Sequence, residues 1–250
     1  MLKRHLLLIT LVFSLLINAA GIFFFIAFLE TRGHLRHVKK ERNIATQNLF
    51  MMRGQVRTNS VMASDDVIKC TFVSHFDGQV DKFAYLPPSN LKTTGGFKLI
   101  VYLHGMGSTF LEPFISPETQ SVASEIRNNN PDLVFASVNY RGGVAWISDA
   151  AMADISQNIR ELMQRYPISK IVMMGTSMGG TISLTYAAIA PPDIKSKIIG
   201  VVSSEGAGDL AEVYRLTENQ SLKPALANAF GGPPEAVPER YARRSLLPNI

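Results

Sequence analysis

Met173-Met174-Gly175-Thr176-Ser177-Met178-Gly179-Gly180 is the stretch whose reading decides the fold. Before it, Lys170 to Met174 is a short apolar run with the character of a buried strand. After it, the Ala-rich stretch Thr181 to Ala190 has the composition of a helix. Between the two stands Gly-x-Ser-x-Gly. A strand, a tight turn and a helix around such a serine form the context of a nucleophile elbow. The turn forces the serine into strained backbone geometry, so its neighbours must be small, and Gly175, Gly179 and Gly180 meet that need. The hydroxyl is then expected to stand above the strand end. The amide of Met178, at a helix N-terminus, is expected to face the place where an oxyanion would form.

Outward from this point, strand and helix signals alternate. Val67 to His75 and Lys82 to Leu86 read as strands joined by an Asp77-Gly78 hairpin turn. Phe97 to Leu103 is a continuous apolar strand after Gly95-Gly96. Ser116-Pro117-Glu118 reads as the start of a helix that runs to about Asn129. Leu133 to Val138 is the next strand. Ser148 or Asp149 opens a helix with Met152, Ile155, Ile159, Leu162 and Met163 on one face, stopped at Pro167. Ile198 to Val202 is a sixth strand, and Asp209 reads as a helix N-cap. This alternation predicts an α/β fold, a mostly parallel sheet with helices on both faces. Such sheets bind ligands at the carboxyl ends of their strands. His104, Arg141, Ser177 and Glu205 all fall just after strands.

Charge divides the chain. Residues 1–44 hold seven of the 25 Lys and Arg and two of the 20 Asp and Glu, a net of +5. The remaining 18 bases and 18 acids cancel. The basic excess therefore argues for a membrane flank and against a nucleic-acid surface. Leu6 to Leu29 is 24 residues without a charge, which as a helix would span about 36 Å. Asn18-Ala19-Ala20 offers an imperfect signal-peptide cleavage site. The apolar run nevertheless continues through Phe23-Phe24-Phe25-Ile26, so an uncleaved anchor in the lipid bilayer is expected. Residues 1–5 are then a tail, 6–29 a transmembrane helix, 30–66 a basic juxtamembrane stalk and 67–250 the folded domain. Five Lys and Arg follow the span closely against two before it, which puts the domain on the cytoplasmic side. One cysteine, Cys70, excludes an intramolecular disulfide. No Cys/His cluster has zinc-ligand spacing, so no metal is expected, and no motif calls for a cofactor.

Residues 67–250 resemble the α/β-hydrolase superfamily, and most of all its prolyl-oligopeptidase and dienelactone-hydrolase-like esterase branch. The resemblance rests on Leu103-His104-Gly105-Met106-Gly107, on Asn139-Tyr140-Arg141-Gly142-Gly143 and on the Gly175–Gly180 elbow. Gly231-Gly232-Pro233-Pro234 through Ser245 is similar to the family's approach to its seventh strand. The resemblance implies that Ser177 is the nucleophile and that the Met178 and Met106 amides are the oxyanion donors. His104, with Gly105 and Gly107, would shape the oxyanion loop. Arg141 is expected to hold its loop by hydrogen bonds. Trp146 is left between lining the pocket and covering the sheet.

The family's order is serine, acid, histidine, but His5, His34, His37, His75 and His104 all precede Ser177. A serine hydroxyl needs a base to take its proton. Glu205 is the best acid within the chain. Six strands against the family's eight lead to the expectation of an N-terminal portion of a longer hydrolase, with the acid and histidine beyond residue 250. The function expected is therefore a membrane-anchored serine hydrolase, a carboxylesterase acting on a small-molecule ester. One alternative is a prolyl-oligopeptidase-type peptidase acting on a short peptide, although the 31–66 stalk leaves no room for a propeller. The other is a non-catalytic binding protein that keeps the elbow as a feature of the fold.

Overall fold

The sheet begins as an antiparallel hairpin and turns parallel at its third connection. The computed structural model describes residues 66–115 and 121–250. Strand β1 (Ile68–Val73) pairs antiparallel with β2 (Val80–Leu86). Gly78 in the turn between them takes a φ of 76°, a left-handed conformation that glycine adopts without a Cβ clash. Strands β3 (Phe97–Leu103), β4 (Leu133–Val138), β5 (Ile168–Thr176) and β6 (Ile198–Ser204) complete six strands in the spatial order β1-β2-β4-β3-β5-β6. β2 pairs antiparallel with β4, and the β4–β3, β3–β5 and β5–β6 pairs are parallel.

Period-two alternation sorts the strand side chains onto two faces. Leu99, Val101 and Leu103 of β3 share one core with Val134, Ala136 and Val138 of β4 and with Ile171 and Met173 of β5. Helices α2 (Asp149–Arg165) and α3 (Met178–Ile189) add Ile155, Ile159 and Leu162, and Ile182 and Tyr186, to that core. On the other face Leu86, Tyr102 and Phe135 pack with Phe114 of a 3₁₀ turn (Glu112–Phe114) and with Ala123 of α1 (Val122–Asn128). α1 starts at Val122, with Ser121 accepting from the Ser124 amide as its cap. The expected start at Ser116-Pro117-Glu118 lies outside the described residues.

Helix α2 opens at Asp149 with Ser148 as its cap. β5 runs on to Thr176 and α3 begins at Met178, so the elbow is tighter than a helix starting at Thr181 would make it. Gly179 and Gly180 have low helix propensity, but the close approach of Gly179 to Leu103 and of Gly180 to Ser203 and Ser204 outweighs it. Four further helices follow: α4 (Pro192–Lys195), α5 (Leu210–Leu216), α6 (Leu222–Phe230) and α7 (Pro238–Arg244). Asp209 caps α5 by accepting from the Ala211 and Glu212 amides. Leu210, Leu226, Phe230 and Tyr241 carry this excursion into the main core. The segments expected as tail, transmembrane anchor and stalk (1–65) lie outside the described residues. Among the described residues no helix is long and apolar enough to cross a membrane.

α7 is tied to the start of α2 by a pair between Arg244 and Asp149 at 2.5 Å. The Arg244 hydrogen bond holds the Asp149 carboxyl below its usual range against the opposing effect of burial, with the charges of Arg244, Arg243 and Arg240 adding to it. A carboxyl depressed in the folded state stabilises the fold above its unfolded pKa of about 3.9. That contribution is lost as the pH falls through the lower folded value. Asp149→Asn should therefore lower the unfolding free energy from urea titration at pH 7 by less than about 1 kcal/mol, because the carboxylate is more than half exposed. The gap to the parent protein should close progressively below about pH 4. Equal gaps at pH 7 and pH 3 would show that the pair does not carry the effect.

Candidate active site

Backbone strain in the described residues is concentrated at one edge. The five non-glycine residues there with left-handed φ are Tyr140 (37°), Arg141 (75°), Trp146 (45°), Ser177 (53°) and Glu205 (58°). Tyr140, Arg141, Ser177 and Glu205 lie within three residues of the carboxyl ends of β4, β5 and β6, at the edge where open α/β sheets bind ligands, and Trp146 lies further along the loop after β4. Strain of this kind persists only where the surroundings enforce it.

Ser177 is held hardest. Its φ of 53° and ψ of −115° fall outside every favoured region for a side-chain-bearing residue. Its amide donates to Ser204 O at 2.7 Å, at the end of β6, and its carbonyl accepts from Thr181 N at 3.0 Å inside α3. The glycines on either side permit this. A Cβ on Gly175 would sit 2.4 Å from Gly179 backbone atoms, and one on Gly179 would sit 1.9 Å from Leu103 O. Strand, turn and helix are thus in backbone contact. The Ser177 side chain makes no capping bond to the helix, so its hydroxyl is not consumed by the fold.

Two amides were expected as oxyanion donors, those of Met178 and Met106. The Met178 amide opens α3 and has no backbone acceptor among the described residues. In the loop after β3, Gly107 N donates to Gly143 O at 2.8 Å and Ser108 N to Gly105 O at 3.1 Å, whereas the Met106 amide has no backbone acceptor among the described residues. The amide of Met178 at the helix N-terminus and that of Met106 in the loop are therefore both unused by the fold.

His104 is fully buried, with its two ring nitrogens on Gly105 O (Nδ1, 2.9 Å) and Asn139 O (Nε2, 3.2 Å). A neutral ring donates to one of these carbonyls. Burial lowers its pKa, against the opposing effects of these carbonyls and of the Glu112 and Asp81 charges. The Tyr140 ring stacks on it with centroids 4.4 Å apart, and the Tyr140 hydroxyl donates to His104 O. The expected structural part of His104 thus has a definite form: it ties the loop after β3 to the loop after β4. Gly143 adds a second tie, because a Cβ there would lie 2.9 Å from Gly107 backbone atoms.

The loop after β4 is braced in turn. Arg141 donates from two nitrogens to the two Asp77 oxygens at 2.8 Å each, to Gln79 Oε1 at 2.9 Å, to Ser74 Oγ at 2.8 Å and to the fully buried Asp154. Its amide donates to Asp81 Oδ2 at 2.9 Å, and Asn139 Nδ2 donates to Asp81 Oδ1 at 2.6 Å. The hydrogen bonds to Asp77 and Asp154 raise the Arg141 pKa, and the same bond to Arg141 lowers that of Asp77. Arg141 holds its loop, as its position after β4 suggested. Its partners Ser74, Asp77 and Asp154 have no local sequence signal, since the bonds span 67, 64 and 13 residues.

Glu205 follows β6 and is exposed. It is joined to the elbow through its neighbour Ser204, whose carbonyl receives the Ser177 amide. Trp146 is only 4% exposed and packs in the main core, and its Nε1 has no partner among the described residues. Of the two histidines described, His104 is engaged by backbone carbonyls, and His75 lies at the β1–β2 turn, where its amide donates to Gln157. An open groove of about 880 Å³ runs along α2 between His75, Phe76 and Pro191, and none of the site residues lines it. Among the described residues no group of His, Cys, Asp and Glu could hold a metal ion.

A family model for the alpha/beta hydrolase fold matches residues 98–237, more than half of the chain. This chain belongs to the alpha/beta hydrolase family. Among solved structures, apo prolyl oligopeptidase B from Galerina marginata matches with a TM-score of 0.56 and 20% identity, over 74% of this chain and 27% of that one. The acylaminoacyl peptidase of Pyrococcus horikoshii matches with a TM-score of 0.53 and 17% identity, over 73% of this chain and 30% of that one. S-formylglutathione hydrolase (FrmB) from Staphylococcus aureus matches at 0.49 and 18% identity, over 65% of each chain. At these identities the similarity speaks for the fold alone. The chain spans less than a third of the length of the two peptidases. No curated protein matches the sequence.

Proposed function

We propose that this protein is a serine hydrolase that transfers an acyl group through Ser177, with a carboxylic ester as substrate. The observation that carries the reading is the strained, unengaged Ser177 beside two unused amides, those of Met178 and Met106. In this reading Ser177 Oγ attacks the ester carbonyl and its proton passes to a base. The two amides hold the oxyanion, and the alcohol leaves as that proton is returned to it. Water then releases the acid and frees the serine. His104, Gly105 and Gly107 keep the loop in shape. Glu205, next to Ser204 whose carbonyl receives the Ser177 amide, is the candidate acid. Residues 6–29 anchor the protein in the bilayer, with the folded domain on the cytoplasmic side.

Turnover by the full natural protein in its membrane tests this reading. Short p-nitrophenyl acyl esters should be cleaved at least about 100-fold faster, by kcat/KM, than proline-containing peptides of similar size. A fluorophosphonate should label the protein at Ser177. Preference for the peptides would move the assignment to a peptidase. Absence of both turnover and labelling in a cooperatively folded protein would leave a binding protein.

A further inference from the structure

The loop after β3 presents the amides of Gly105, Met106, Gly107 and Ser108 in succession. Gly107 and Ser108 are bonded to backbone carbonyls. Gly105 N instead donates to a side chain, Glu112 Oε2, at 3.3 Å. The direction of the Met106 amide is set by the peptide planes on either side of it. The plane after it is pinned by Gly143 O, and its own plane by the Ser108 amide and His104 Nδ1 at Gly105 O. The plane before it is held at His104 O by the Tyr140 hydroxyl and at Gly105 N by this carboxylate.

The second Glu112 oxygen has its own partner. Oε1 accepts from the Tyr102 hydroxyl at 2.9 Å. That hydroxyl lies 3.3 Å from Thr176 Oγ1, on the residue immediately before Ser177. One carboxylate therefore spans the oxyanion loop and the strand end that carries the serine. Two donors converge on it from different elements, and a carboxylate offers an acceptor oxygen to each. Its own position is fixed by the 3₁₀ turn it opens, in which Glu112 N donates to Thr109 O at 2.9 Å.

We propose that Glu112 is a positioning residue for acyl transfer: it aims the Met106 amide at the oxyanion by holding Gly105 N with one oxygen and, through Tyr102, the strand that carries Ser177 with the other. This deepens the serine-hydrolase reading and rests on it. A donor serves an oxyanion only when it is held near hydrogen-bond distance of where the charge develops. Loss of the carboxylate removes the hold on Gly105 N and leaves the Tyr140 hydroxyl alone on that plane, which loosens the aim of the Met106 amide.

The test uses the full natural protein and two rates, ester turnover and phosphonylation of Ser177 by a fluorophosphonate. In the second, the Oγ–P bond forms, fluoride leaves and the serine proton passes to the base. Glu112→Ala should lower kcat and the phosphonylation rate about 10- to 100-fold, with KM within about twofold of the parent. Glu112→Gln should recover most of the loss, because its oxygen can still accept from Gly105 N while its NH₂ donates to the Tyr102 oxygen. Tyr102→Phe removes the hydroxyl that joins Glu112 Oε1 to Thr176, keeps the Gly105 bond, and should cost about threefold in kcat. It serves as the reading where the alanine variant does not fold.

Rates within twofold of the parent in both Glu112→Ala and Tyr102→Phe would overturn the proposal. So would a loss expressed in KM, or a glutamine variant as slow as the alanine one. Labelling abolished in Ser177→Ala but unaltered in Glu112→Ala removes the role of Glu112 and leaves Ser177 in place. Labelling that survives in Ser177→Ala removes both.

Discussion

Ser177→Gly will abolish fluorophosphonate labelling and at the same time raise the thermal midpoint. The first effect follows from removal of the hydroxyl. Loss of an enzymic nucleophile costs about 10⁴-fold or more in kcat, and what remains reflects binding and the oxyanion donors. The second follows from the backbone. At φ 53° and ψ −115° a Cβ is held in a conformation that costs about 1–3 kcal/mol. Glycine removes that cost, but its freer unfolded chain returns about 0.5–1 kcal/mol of it. The net gain is about 1 kcal/mol, worth about 2–4 °C in a domain of this size. No helix-capping bond is lost, since the Ser177 side chain makes none. Ser177→Ala is the control: it removes the hydroxyl and keeps the Cβ. It should be equally inactive and no more stable than the parent. A glycine variant that melts at or below the alanine variant would show that the elbow stores no strain at this residue.

Gly179→Ala will have the largest effect on stability of any single methyl group added to this domain. In an ordinary helix the change stabilises by about 0.5–1 kcal/mol, because glycine is a poor helix former. Here the added Cβ would lie 1.9 Å from Leu103 O, 2.4 Å from Leu103 C and 2.6 Å from His104 O. All three are backbone atoms at the end of β3, so no side chain can rotate away. Relief requires α3 to move off the sheet, which separates the elbow from the oxyanion loop and opens the core around Met178 and Ile182. We expect a loss above about 3 kcal/mol, at the top of the range for overpacked sites. Gly200→Ala in β6 is the matched comparison, since its added Cβ would meet nothing within 4 Å. That variant should stay within about 0.5 kcal/mol of the parent. Similar urea midpoints for the two variants would mean that the close approach of α3 to β3 is not what makes Gly179 necessary.

The parts of this fold that were legible in sequence are those governed by local pattern. β3 and β4 occur at the bounds read for them, Phe97–Leu103 and Leu133–Val138. Each is an unbroken run suited to a strand with residues buried on both faces, and each follows a turn signal, Gly95-Gly96 or Pro131. Ser148 as a cap for α2 and Asp209 as a cap for α5 were equally readable. The elbow was recognised by its flanks, although β5 proved longer and α3 earlier than propensity suggested. In that segment the Gly179–Leu103 contact, a tertiary feature, overrides the low helix preference of two glycines.

The bracing of the site was not legible. Tyr140 beside His104, Asp81 beneath Arg141, and Glu112 with Tyr102 all depend on which strand lies next to which. β4 sits between β2 and β3, an order that no local period encodes. Once that order is known, the buried Asp154 and Asp81 become searchable, because a buried carboxylate must have a partner. Glu205 shows the opposite case. Its place after β6 and a solvated carboxylate were readable from the sequence, whereas its left-handed backbone was not.

The bond from the Ser177 amide to Ser204 O also has a consequence in time. The acceptor lies 27 residues further along the chain than the donor. On a ribosome adding about 5–20 residues per second, those residues take about one to five seconds to appear. Throughout that interval β5 can be made and even paired with β3, yet the turn that lifts Ser177 lacks the strand that pins it. The strained conformation therefore cannot precede the arrival of β6, and a nascent chain carries Ser177 relaxed until that strand has docked.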